Sequence, residues 1–90
     1  MSKKIKPLWQ LQKMVAEIVA RYVNSSILMP AVQIEDDQIV WDEECAGVGR
    51  VPWNVGFIAP NGKPSADIEA MIQRQIARLQ TRYDAGVTSA

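Results

Sequence analysis

The chain predicts an α+β domain, an α-β-β-β-α two-layer sandwich whose three-stranded antiparallel meander carries both helices on one face. Three observations lead there. Apolar residues recur at helical spacing near each end of the chain, they alternate along residues 31–42 and 51–59, and turn-forming residues separate these stretches.

Residues 1–6 read as a flexible basic arm, and Pro7 suits the first turn of a helix, where its missing N–H is not needed. Leu8, Leu11, Val15, Ile18 and Tyr22 then form one apolar stripe, widened by Met14, Val19 and Val23. Asn24 can adopt the left-handed conformation that closes a helix, and Ser25-Ser26 marks the exit. Pro30 stops the apolar connector that follows.

Within residues 31–42 a turn at Asp36-Asp37 sets Ile34 opposite Ile39 and Val32 opposite Trp41. All four apolar side chains then share one face, because strand side chains alternate. Residues 43–50 read as a loop. Val51, Trp53, Val55, Phe57 and Ala59 alternate with polar or small residues as a third strand, and Pro52 belongs at its start or on an edge. Pro60-Asn61-Gly62 signals a turn.

Ser65 is a good N-cap for a second helix, with Asp67 and Glu69 in the first turn, where the helix dipole favours acids. Ile68, Ile72, Ile76, Leu79 and Tyr83 form its stripe, and Gly86 is a candidate cap. Residues 7–86 therefore read as a single domain and residues 87–90 as a frayed tail. The strand-face residues Val32, Ile34, Ile39, Trp41, Trp53, Val55 and Phe57 make up the expected core, with Trp9 at its rim. A chain of this length hides only ~60% of its unfolded surface, so a binding partner matters energetically.

The apolar fraction of 48% and charged fraction of 22% are those of an ordinary globular protein. No segment reaches the roughly 20 apolar residues of a membrane span, and the start carries no signal-peptide pattern. Cys45 is the only cysteine, so no internal disulfide forms, and the cytoplasm is the expected location.

Catalysis lacks its usual inventory. The chain has no histidine, and Cys45 beside Glu43 and Glu44 lacks the cations that stabilise a thiolate. Zinc lacks ligands in a chain with no histidine and one cysteine. A single hard cation does not bind both acidic triplets, which lie roughly 16 Å apart along an extended chain. Gly47-Val48-Gly49 precedes a strand and lacks a third glycine, so it is not a dinucleotide fingerprint. No enzyme, cofactor or metal centre is expected.

The charge balances to zero overall yet divides along the chain. Residues 1–24 hold Lys3, Lys4, Lys6, Lys13 and Arg21 against Glu17 alone, whereas residues 25–64 hold six acids against Arg50 and Lys63. The expected function is a small non-enzymatic protein-binding module (an adaptor, subunit or inhibitor) that uses the acidic surface of Glu35, Asp36, Asp37, Asp42, Glu43 and Glu44. The arginine ridge of Arg74, Arg78 and Arg82 is a further candidate surface for it. A second expectation is a nucleic-acid accessory protein gripping phosphate through Lys3, Lys4, Lys6, Arg74, Arg78 and Arg82. A third is a self-associating structural subunit, of the kind phages and mobile elements encode, that pairs through a strand edge or through Val40 and Ile58.

The element order is similar to that of double-stranded-RNA-binding domains. Those domains open their second helix with phosphate-facing lysines. Here that position holds Ser65, Asp67 and Glu69, so the similarity carries no function.

Overall fold

Pro7 sets the first boundary of the chain. A residue before proline is driven to extended geometry, and Pro7 itself is extended at φ −64° and ψ 153°, so Lys4–Pro7 is a strand, β1, and the helix starts one residue later. This computed structural model describes residues 3–24, 27–60 and 62–88.

Helix α1, Leu8–Ala20, buries Leu11, Val15, Ile18 and Val19, as the apolar periodicity requires. Its end differs from the expected left-handed closure at Asn24, since no non-glycine residue among those described has a positive φ. The last turn tightens instead, with the Arg21 N–H donating to the Ile18 carbonyl at 3.2 Å and the Tyr22 N–H to the Val19 carbonyl at 3.0 Å. Ser25 and Ser26 lie outside the described residues.

The strands that follow are β2 (Met29–Ile34), β3 (Val40–Trp41), β4 (Val48–Val51) and β5 (Trp53–Ile58). β2 pairs antiparallel with β5, and β3 pairs antiparallel with β4. The expected turn at Asp36-Asp37 is therefore corrected. Val32 lies opposite Val55 and Ile34 opposite Trp53, and the reversal falls at residues 42–47.

The cause is backbone chemistry. A tight two-residue hairpin needs positive φ at both central residues, which aspartates adopt reluctantly. Asp36–Gln38 forms a 3-10 turn that bends the strand, while Gly47 supplies a φ of 83° in the actual reversal. Pro52 marks the matching bend between β4 and β5, in keeping with its lack of a donor.

Helix α2, Ala66–Arg82, begins at Ser65 as expected, with the Ile68 N–H donating to the Ser65 Oγ at 3.4 Å. It buries Ile72 and Ile76 and passes directly into a sixth strand, β6 (Tyr83–Thr88). Gly86 is therefore not a helix cap, and Val87 and Thr88 are not frayed. Nor is the N-terminal segment an arm, since β1 runs parallel to β6 from Lys4 opposite Tyr83 to Pro7 opposite Gly86. Asn61 and residues 1, 2, 89 and 90 lie outside the description.

The class is α+β, with two helices and strands in two sheets, one ordered β1-β6-β4-β3 and the other β2-β5. One core joins them through Leu11, Val15, Ile72, Ile76, Val51, Trp53 and Ala85. Val32, Ile34, Ile39, Val55 and Phe57 pack partly buried against it. Trp53 anchors the α2–β6 junction, its indole N–H donating to the Tyr83 carbonyl at 3.0 Å.

Two expected core or rim tryptophans are solvent-facing instead. Trp41 is 47% exposed because β3 is a two-residue edge strand with no neighbour beyond it, and Trp9 is 69% exposed on α1. No helix among the described residues is long and apolar enough to cross a membrane.

Candidate functional site

Strand alternation divides the four-stranded sheet cleanly. Val51 and Ala85 are opposite one another and fully buried, so they mark the inner face. Val48 and Arg50, and with them Asp84 and Gly86, then point outward. Val40 is opposite Arg50 and Ile5 is opposite Asp84, so both belong to the same outer face.

That outer face is apolar with a charged centre. Ile5, Val40 and Val48 are all exposed, and together with Trp41 at the edge they line a shallow depression of about 250 Å³. Arg50, which lines it, has its Nε 3.4 Å from the Asp84 Oδ2, and the Lys3 Nζ lies 3.8 Å from the Asp84 Oδ1. The Arg50 guanidinium also donates from Nη2 to the Lys3 carbonyl. Asp84 on β6 thus ties Arg50 of β4 to Lys3, the residue that precedes β1.

Two glycines shape this sheet. A Cβ on Gly86 would lie 2.6 Å from the Ile5 Cγ2, so Ile5 rests directly on the backbone there. A Cβ on Gly49 would lie 2.8 Å from the Ile39 Cγ2 and 2.9 Å from the Trp41 Cε3, so the indole lies across the glycine. Sequence reasoning missed Ile5 and Val48. The signal for Ile5 was its isolated apolar side chain between Lys4 and Lys6.

The acidic residues fall into two exposed groups. Glu35, Asp36 and Asp37 surround the 3-10 turn, whereas Asp42, Glu43 and Glu44 occupy the hairpin reversal. The Asp42 Oδ1 accepts from the N–H groups of Glu44 at 2.8 Å and Cys45 at 3.2 Å, which fixes the turn internally. Asp42 also lines the outer-face depression, so acidic charge rims the apolar surface. Among the described residues no group of three or more histidine, cysteine or acidic side chains can hold a metal ion. Cys45 is exposed and free.

The expected basic surface is divided by the fold. Lys3 pairs with Asp84, and the Lys6 ammonium sits 5.3 Å from the centre of the Tyr83 ring. Arg78 and Arg82 instead converge with Arg21, unanticipated from sequence, in a cleft of about 220 Å³ between α1 and α2. Lys4 and Arg74 are exposed but do not line it. Val40 and Ile58 are also separated. Val40 is on the outer face of one sheet, while Ile58 lies opposite Met29 at the far end of the other.

Comparison with known proteins gives no match to a family model, to a curated protein or to a solved structure.

Proposed function

We propose that this chain is a non-enzymatic protein-binding module, an adaptor, subunit or inhibitor, whose contact surface is the outer face of the four-stranded sheet. The observation that carries this reading is the exposure of Ile5, Val40, Val48 and Trp41 around one depression. Contiguous apolar surface facing water is energetically costly, and a protein partner relieves that cost by burying it. Acidic side chains at the rim steer a basic partner surface toward it and fix its orientation. A chain without histidine, whose single cysteine is free, supports binding over catalysis and fits a reducing cytoplasm.

The test is affinity capture from a host lysate with folded variants, compared by circular dichroism beforehand. Val40→Lys combined with Val48→Lys abolishes capture, whereas Ile58→Lys, an equally exposed apolar site on the other sheet, retains it. Full capture by the folded Val40/Val48 variant refutes the surface.

A further inference from the structure

The cleft between α1 and α2 gathers three guanidinium groups. Arg21 follows the end of α1, and Arg78 and Arg82 lie in the last turns of α2. None of the three makes an ion pair among the described residues, and the only acid lining the cleft is Glu17. Met14 and Leu79 supply apolar walls. Three cations against one anion beside an apolar wall is a receptor for carboxylates, which arginine binds through paired N–H donors.

The same chain carries the matching anion. Glu43 and Glu44 are exposed on a hairpin turn already fastened by Asp42, and neither makes an ion pair among the described residues. The two surfaces lie toward opposite ends of β6. Arg82 immediately precedes Tyr83, the first residue of that strand, whereas the acidic turn leads into Val48, opposite Thr88, its last. Six strand residues span about 20 Å, so turn and cleft of one molecule do not reach each other.

We infer that the Arg21–Arg78–Arg82 cleft receives Glu43 and Glu44 of a second copy of this chain, joining copies head to tail. The inference rests on the reading of the chain as a protein-binding module and names one partner. Zero net charge removes the overall repulsion between copies and leaves the local attraction between unlike ends. Because turn and cleft are different surfaces, a pair keeps one free turn on one copy and one free cleft on the other, and the association extends into a ring or a filament.

Sedimentation of the full chain tests this. The wild type gains mass with concentration at low salt and returns to a monomer at high salt. Glu43→Gln with Glu44→Gln, and separately Arg21→Gln with Arg78→Gln and Arg82→Gln, each weaken self-association by about tenfold or more. Mixing these two folded variants gives a dimer and nothing larger, since one intact turn meets one intact cleft. A wild type that stays monomeric at low salt overturns the inference; if Val40- and Val48-dependent capture persists, the module reading survives it. Cleft-dependent binding of a labelled oligonucleotide by a monomeric wild type also overturns it, in favour of phosphate as the occupant.

Discussion

The Gln12 side chain on α1 completes the free edge of β2, where its Oε1 accepts from the Val32 N–H at 2.8 Å. Its Nε2 donates to the Pro30 carbonyl at 2.9 Å, so one amide reproduces the donor and acceptor of a neighbouring strand. A two-stranded sheet is marginal by itself, and here a helix side chain takes the place of a third strand.

Removing that amide exposes its weight. Gln12→Ala leaves two partly buried backbone groups without partners and costs about 1–2 kcal/mol in urea unfolding. Gln12→Glu keeps the acceptor for Val32 but sets a carboxylate oxygen against the Pro30 carbonyl. It therefore destabilises at least as much, and equal stability to wild type contradicts the bridging role.

Gly49 and Trp41 form a coupled pair. Gly49→Ala drives a methyl group into Ile39 and the Trp41 ring at 2.8 and 2.9 Å, with an expected cost of about 1–3 kcal/mol. In a Trp41→Ala background half of that obstruction is gone, so the same substitution costs less. A double-mutant cycle measures the difference, and strict additivity refutes the contact.

The three tryptophans separate by location. Trp53→Phe removes the hydrogen bond to the Tyr83 carbonyl from a site only 3% exposed and lowers stability by about 1 kcal/mol. Trp9→Ala changes stability by less than about 0.5 kcal/mol, as surface substitutions usually do. Acrylamide quenching gives an independent check, with Trp53 the best protected of the three.

Local pattern made much of this fold legible. The apolar stripes of both helices, the Ser65 cap and the alternation from Trp53 to Phe57 depend on neighbours within a few residues, and each is where the sequence indicates. Val51, expected in the same strand as Trp53, instead ends β4 in the other sheet. The hairpin failed on a choice between two turns that alternation alone does not separate. Gly47, with its positive φ, decided it against Asp36-Asp37. β6 carried a weak signal of its own, since Tyr83, Ala85 and Val87 alternate with Asp84 and Gly86 and face inward.

By itself, then, the sequence determined the α+β class, both helices, the neutral but divided charge and the absence of histidine, because these are set by composition and short-range periodicity. Tertiary structure alone decided that Lys4–Pro7 pairs with Tyr83–Thr88 and that Ile5 shares an outer face with Val40 and Val48. It also brought Arg21 beside Arg78 and Arg82. Those contacts join residues tens of positions apart, and closing such loops is favourable only once the whole core forms, so no local pattern encodes them.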